Sequence, residues 1–135
     1  MEKPSIIKGN VFKDNRGFVS FNNSFDLTQV KRMYCIENSL VQKTRGWKGH
    51  KIEHRWFIAS EGEFLIEVVD LNYFKNHKTA SIFKFNINFK TFDVLQVPPG
   101  FATRITSLIN NSKLFCFSNF LINDSENEIR FDLNR

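Results

Sequence analysis

The chain has 135 residues, a length suited to one domain with its own hydrophobic core. Sixteen phenylalanines and few alanines argue against a helical bundle and favour an all-β domain. The formal net charge of +5 is scattered, and the absence of any run of five Lys or Arg argues against a nucleic-acid-binding arm. Interleaved Phe and Lys leave a single-strand-binding platform as an alternative.

The N-terminal residues carry no apolar signal segment, and no apolar run is long enough to span a bilayer. We therefore expect a cytoplasmic protein without a membrane partner. The two cysteines, Cys35 and Cys116, lie in apolar strand-like runs without metal-site spacing. We expect two buried free thiols.

Short strand patterns recur along the whole chain, with turn residues between them. The predicted strands are 5–8, 17–21, 30–37, 55–60, 63–71, 80–87, 92–97, 102–108 and 113–122. A short helical turn is expected only near 24–29.

The polar tail, residues 123–135, alternates Ile129, Phe131 and Leu133, so it could add an edge strand or pack against a second subunit. Many short strands in a single domain, residues 1–135, predict a jelly roll, that is, a double-stranded β-helix. Such barrels bind small ligands at their mouths.

Residues 45–51, Arg-Gly-Trp-Lys-Gly-His-Lys, concentrate more chemistry than any other segment. Arg45 can bind a phosphate or carboxylate through two hydrogen bonds, while Lys48 and His50 can transfer protons. On an extended strand, Lys48 and His50 project to the same face, roughly 7 Å apart.

Four segments, in order, resemble motifs of the cupin-type sugar-nucleotide epimerases and ketoisomerases. They are Asp-Asn-Arg-Gly-Phe (14–18), Arg-Gly-Trp-Lys-Gly-His (45–50), Gly-Glu-Phe-Leu-Ile-Glu-Val-Val-Asp-Leu (62–71) and Val-Pro-Pro-Gly-Phe-Ala (97–102). That family includes the dTDP-4-dehydrorhamnose 3,5-epimerases and the shorter dTDP-sugar 3,4-ketoisomerases, and the chain length matches the shorter branch. The resemblance implies an RmlC-like cupin barrel, usually a homodimer. It also implies a nucleotide-diphosphate 4-keto sugar as substrate, used in surface polysaccharide synthesis.

The chain departs from that family at the catalytic motif. Lys48 stands where the family has its first motif histidine, so only the second position, His50, remains a histidine. Enolising a ketosugar requires a base and a donor at the enolate oxygen, without any cofactor. We predict His50 as the base, Lys48 as a cation or second candidate base, and Tyr34 as a general acid.

Further side chains are candidates for substrate binding. Arg16 and Arg45 suit the diphosphate because guanidinium groups match phosphate oxygens, and Arg104 is a weaker third candidate. Trp47 could stack on the nucleobase, and His54 could contact the substrate. Each has a structural alternative: surface ion pairs for the arginines and core packing for the indole.

A metal site is not expected. His50 and His54 would lie roughly 13 Å apart on one strand, and Thr103 stands where metal-binding cupins have a later histidine. The remaining histidine, His77, lies in a polar loop-like run and is expected to be solvated. Two other functions stay open: a nucleotide-sugar-binding module that has lost its base, and a metal-dependent cupin oxygenase.

Overall fold

The computed structural model of the protein describes residues 2–72, 82–120 and 128–130. All regular secondary structure in these ranges is β-strand, as predicted, so none of them contains a helix able to cross a membrane. The strands are β1 (Ser5–Ile7), β2 (Asn10–Asp14), β3 (Gly17–Phe21), β4 (Arg32–Ile36), β5 (Thr44–His50), β6 (Arg55–Glu61), β7 (Glu63–Asp70), β8 (Phe83–Asn88), β9 (Val94–Val97), β10 (Phe101–Ser107), β11 (Lys113–Ser118) and β12 (Glu128–Arg130).

Ten of these strands form two five-stranded antiparallel sheets. The first sheet has the order β1-β9-β6-β11-β4 and the second β12-β5-β10-β7-β8, while β2 and β3 form a separate hairpin. Phe57 and Leu114 of the first sheet pack with Phe64, Ile66 and Val68 of the second, and all five are fully buried. Burying each such side chain stabilises the fold by about 1.5–3 kcal/mol, so this inter-sheet core holds the two sheets together.

Each sheet also buries apolar residues on its outer face. On the first sheet, Trp56 packs near Phe25, with the ring centroids 5.9 Å apart. On the second sheet, Trp47 packs with Val69 and Ala102. Trp47 and the inter-sheet core therefore lie on opposite faces of the second sheet.

The observed strands confirm the predicted segments, with boundaries shifted by no more than two residues at most ends that the structure describes. The structure adds β2 and β5, and it places β12 beside β5 as an edge strand, one of the two possibilities that the sequence left open for the tail. The expected helical turn near 24–29 is a non-helical turn. The parts of the predicted segments at 80–81 and 121–122, His77, and most of the tail lie outside the described residues.

The prediction for the cysteines holds for one of the two. Cys116 is buried, and burial raises the pKa of its thiol to about 12. Cys35 is exposed. It lies on the edge strand β4, where Met33 and Cys35 face outward while Tyr34 and Ile36 face inward. Only the inward face of β4 is covered by the rest of the protein. An apolar run in the sequence does not reveal that the other face of a strand is open to solvent.

Replacing Phe64 with Ala should lower the free energy of unfolding by about 3–5 kcal/mol, because it opens a cavity between the sheets. Urea unfolding followed by circular dichroism measures this change. The control Val41→Ala, at a side chain that is 96% exposed, should change stability by less than about 0.5 kcal/mol. Equal losses in the two variants would contradict the assignment of the core.

Candidate active site

A cavity of about 730 Å³ lies between the two sheets, at the side where β4 faces β5 and β12. Its lining includes four cationic side chains and one carboxylate among the described residues: Arg45, Lys48, Arg55, Arg130 and Glu37. A partly enclosed space with this excess of positive charge favours an anionic ligand.

The pairing of β5 with β10 determines which side chains of β5 face this cavity. Lys48 lies opposite Thr103, and a bulge follows between Thr103 and Ile105. Gly46 approaches β10 so closely, at a φ of 133°, that a Cβ there would lie 2.6 Å from the Thr103 carbonyl oxygen. Only glycine fits this position, so Gly46 allows the bulge while Lys48 keeps its inward direction.

Lys48 lines the cavity at its open side. Its side chain is 41% exposed, and its Nζ lies 2.7 Å from Oε1 of Glu128 on β12. The hydrogen bond from Lys48 is the main cause of a lowered pKa of the Glu128 carboxyl. Lys48 therefore presents a cation to the cavity while it also ties β12 to β5.

His50 is buried and paired with a buried carboxylate. Its Nδ1 lies 3.2 Å from Oε1 of Glu53, whose Oε2 is 3.4 Å from Nη2 of Arg32. Burial lowers the pKa of His50 below its ordinary value, and the nearby charges of Arg55 and Lys48 lower it further. The hydrogen bond that His50 donates to Glu53 opposes this change without reversing it. At neutral pH, His50 is an uncharged imidazole, the form required of a general base.

Glu53 stays ionised beside this imidazole. Burial alone would raise its pKa, but hydrogen bonds from His50 and Ser118 and the charge of Arg55 lower the pKa to about 2. An ionised Glu53 accepts a hydrogen bond from the N–H at Nδ1, and this assigns the base-competent lone pair to Nε2 of His50.

The structure brings four of the predicted residues to the cavity wall: Tyr34, Arg45, Trp47 and Lys48. Arg45 Nε donates to Oδ1 of Asn38 at 2.8 Å. Burial, with a smaller contribution from Cys116, raises the pKa of Tyr34 to about 12, so its phenol keeps its proton at neutral pH. His50 lies two residues beyond Lys48 on β5 and is not a lining residue.

Trp47 and Arg104 make structural contacts on the outer face of the second sheet. The indole is almost fully buried, although Trp47 also contributes to the cavity lining. The guanidinium carbon of Arg104 lies 4.6 Å from the centre of the Trp47 ring, and its Nε and Nη2 each lie 2.9 Å from a carboxylate oxygen of Glu67. Arg104 is not among the residues that line the cavity.

Arg16 and His54 also lie away from the cavity lining. Arg16 is 84% exposed at the tip of the β2–β3 hairpin and pairs with Asp14 at 2.7 Å. His54 stacks on Trp56, with the ring centroids 4.4 Å apart, and burial lowers its pKa. The expectation that His54 continues the strand of His50 is wrong, because β5 ends at His50 and the chain turns before β6 begins.

Sequence reasoning missed Arg55, which begins β6 and is only 2% exposed. Its Nη1 donates to Oγ1 of Thr103 at 3.2 Å, and it lines the cavity. Arg55 lies at the same parity as Phe57 and Ala59, two core residues of β6, and this spacing was the signal available in the sequence.

Among the described residues, no group of three or more His, Cys, Asp or Glu side chains lies close enough together to hold a metal ion. His50 and Glu53 form a pair, with Arg32 as the third member of the cluster. The carboxylate oxygens of Glu53 are thus directed at cationic or N–H groups.

No family model and no curated protein matches the chain, whereas solved structures do. A mutant of the 3,4-ketoisomerase QdtA from Thermoanaerobacterium thermosaccharolyticum, in complex with TDP-4-keto-6-deoxyglucose, matches with a TM-score of 0.71 and 18% identity, over 97% of this chain and 89% of that one. The dTDP-4-dehydrorhamnose 3,5-epimerase of Bacillus anthracis, with TDP and PPi bound, gives 0.79 and 15%, over 97% and 79%. The TDP-fucose-3,4-ketoisomerase of Campylobacter jejuni gives 0.69 and 20%, over 95% and 89%.

The fold is that of the RmlC-like cupins. At these identities the likeness establishes the architecture, a double-stranded β-helix, which confirms the fold class predicted from the sequence motifs.

The buried His50–Glu53 pair should make the protein sensitive to acid. The pKa of Glu53 is about 2 in the folded state against 4.5 as the ordinary value, so its stabilisation is complete above pH 4.5 and is lost as the pH falls towards 2. The full effect is on the order of 3 kcal/mol. His50 is buried in its uncharged form, so the folded protein also loses stability as the pH falls below 6.5. In that range the unfolded chain binds a proton at His50 that the folded chain does not bind.

Urea unfolding across this pH range tests the effect with Glu53→Gln. The variant should show a flatter dependence of unfolding free energy on pH between 4.5 and 2 than the wild type. Glu61→Gln, at a side chain that is 59% exposed, serves as the control and should follow the wild-type curve. Equal slopes for Glu53→Gln and the wild type would refute the ionised, buried Glu53.

Proposed function

We propose that the protein is a sugar-nucleotide isomerase or epimerase that acts on a dTDP-4-keto-6-deoxyhexose by base-mediated enolisation. The observation that carries this proposal is the cationic cavity between the sheets, with Lys48 and Tyr34 in its wall and the neutral His50 beside it. The match to cupin structures solved with TDP or with TDP-4-keto-6-deoxyglucose supports the same ligand class.

In this proposal some polar side chains bind the substrate and others take part in the proton transfer. Arg45 and Arg130, at the exposed side of the cavity, bind the diphosphate. His50 takes a proton from the carbon beside the ketone, Glu53 holds its tautomer, and Tyr34 donates a hydrogen bond to the sugar oxygens. Lys48 contributes a cation next to the reacting sugar.

This scheme assigns no catalytic step to four of the predicted residues, because their side chains make the ion-pair and packing contacts described above. These residues are Arg16, Trp47, His54 and Arg104. We place the reaction in the cytoplasm, as a step in surface polysaccharide synthesis. No cofactor is required, because enolisation needs only proton transfer.

The direct test is incubation of the protein with a dTDP-4-keto-6-deoxyhexose in deuterated water, followed by NMR. We expect deuterium at a carbon beside the ketone. Replacing His50 with Asn should slow this exchange by about 10²–10⁴-fold, the usual contribution of a general base. Lys48→Gln should weaken substrate binding and leave measurable exchange.

Lys113→Gln is a matched control, because Lys113 is also 41% exposed and pairs with a glutamate, but outside the cavity lining. Its exchange rate should equal that of the wild type. If exchange persists in His50→Asn and disappears in Lys48→Gln, the base is Lys48. If the wild-type protein exchanges no deuterium into any keto sugar nucleotide tested, the proposed enzymatic function is wrong.

The alternative is a module that binds nucleotide sugars without turnover. The ion pair between Lys48 and Glu128, at the position of the family histidine, favours it. Calorimetry would then show binding of dTDP-glucose, while the exchange assay stays negative.

We also propose that the protein is a homodimer and that the β2–β3 hairpin takes part in the contact. Phe12 and Val19 lie directly opposite each other on this hairpin and are 55% and 60% exposed. In analytical ultracentrifugation, the wild type should sediment as a dimer and Phe12→Asp should weaken dimerisation at least about tenfold, the effect of a buried charge at an apolar contact. Leu40→Asp, at another exposed apolar residue, should leave the dimer intact. A monomeric wild type would exclude this assembly.

A further inference from the structure

Arg55 is a buried cation in the wall of the cavity. Arg55 is the first residue of β6. Its guanidinium carbon lies 5.2 Å from the centre of the Phe57 ring, and its Nη1 donates a hydrogen bond to Oγ1 of Thr103. The cationic neighbours at the open side differ in exposure: the side chain of Lys48 is 41% exposed and that of Arg130 is 75% exposed. Arg55 therefore belongs to the closed end of the cavity, whereas the other two belong to its mouth.

One edge of the Arg55 guanidinium is directed to no acceptor among the residues that the structure describes. Nε and Nη2 are buried and have no hydrogen-bond partner in residues 2–72, 82–120 and 128–130. Arg55 forms no ion pair in this part of the chain either. Ionised Glu53 is close enough for Arg55 to lower its pKa, but the two side chains form no direct ion pair.

The same edge of another arginine shows what it can bind. Arg104 uses its Nε and Nη2 to hold both carboxylate oxygens of Glu67 at 2.9 Å. The two parallel N–H groups of this edge match a pair of neighbouring oxygens. Burying a guanidinium with unused donors is costly, so a buried arginine in a cavity wall is suited to a ligand with two adjacent hydrogen-bond-accepting oxygens and a negative charge.

We propose that Arg55 is a catalytic residue that binds O3 and O4 of the enediolate formed on the substrate sugar, and that it thereby directs the reaction to C3. This inference rests on the proposed function. It assigns the oxyanion-binding role to a side chain that already carries its charge before the reaction, so no reorganisation is needed as the negative charge develops.

The reaction step is balanced within the substrate and one base. The base removes the C3 proton, the electrons of the C3–H bond form a C3=C4 double bond, and the carbonyl electrons move to O4. Moving the O3 proton to O4 and returning the base's proton to C4 places the ketone at C3. Returning the proton to the other face of C3 instead inverts that carbon.

The geometry of the ring explains the preference for C3. Across a C3=C4 double bond, O3 and O4 are both outside the ring and on the same side, so one guanidinium edge reaches both. Across C4=C5, the group beside O4 is the C6 methyl, which accepts no hydrogen bond. We therefore expect solvent deuterium at C3, or at C4 once the ketone has moved to C3, and not at C5.

The first experiment measures oxyanion binding without turnover. Oxalate, a small planar anion with adjacent oxygens, is titrated into the wild type, Arg55→Gln and Arg55→Lys, with calorimetry as the readout. Loss of the two-donor edge should weaken oxalate binding at least about tenfold in both variants, while dTDP binding should change less than about twofold. Arg55→Lys keeps the positive charge, so it carries the test if Arg55→Gln fails to fold.

The second experiment measures deuterium exchange into the keto sugar nucleotide at each carbon. Arg55→Gln should slow exchange at C3 by about 10²–10³-fold, the usual effect of removing an oxyanion donor. Val69→Ala, which removes a fully buried side chain from the outer face of the second sheet, controls for lost stability and should exchange at the wild-type rate.

The outcomes separate this inference from the proposed function. The role of Arg55 is overturned if oxalate does not bind, or if it binds equally well to the wild type and both variants. Deuterium exchange at C5 alone overturns it as well. Exchange at C3 that is unaffected by Arg55→Gln overturns it as well, while the isomerase assignment stands. Oxalate binding that depends on Arg55, in a protein that exchanges no keto sugar nucleotide, supports the oxyanion site and refutes the proposed substrate.

Discussion

The register between β5 and β10 is the constraint on which the site depends. With Lys48 opposite Thr103, alternation directs Lys48 and His50 inward and Trp47 outward. A slip of one residue would exchange these sets, placing the indole towards the cavity and the lysine against the apolar residues of the outer face. Gly46 makes the observed register possible, because its contact with β10 leaves no room for a side chain.

Polar groups occupy one side of an otherwise apolar interior. Most of the inter-sheet core consists of aliphatic and aromatic side chains, whereas Arg32, Glu53, His50 and Arg55 cluster beside the cavity. Burying ionisable groups is costly, and here the cost is offset by alternating the signs: Arg32 pairs with Glu53, and Glu53 pairs with His50. The result is an uncharged imidazole held in a fixed tautomer next to permanent charges.

The fold could be predicted from the sequence because it follows from local patterns. Alternating apolar residues and turn residues located most strands, and β8 illustrates this with Phe83 and Phe85 on one face. β5 was harder to recognise as a strand, because its two glycines and its charges reduce strand propensity. Even so, the expectation that Lys48 and His50 share a face agrees with their register against β10.

The site could be predicted only in part, because its members meet through pairing between distant strands. β6 lies between β9 and β11, and its first five residues are buried on both faces, so the parity that Arg55 shares with Phe57 and Ala59 does not stand out as a polar–apolar alternation. The contacts of Arg104 with Trp47 and Glu67 depend on three strands that are neighbours only in the folded sheet. His54 was misplaced because the sequence does not mark where β5 ends.

The gradient of exposure along the cavity gives its two ends different dielectric surroundings. Charges at the mouth are in contact with water and ions, and at physiological salt their influence decays over about 8 Å. Arg55, at 2% exposure, is shielded from mobile ions. Ionic strength thus acts on the capture of a charged ligand and leaves the interior field almost unchanged, so substrate affinity and reactivity can vary independently in the same cavity.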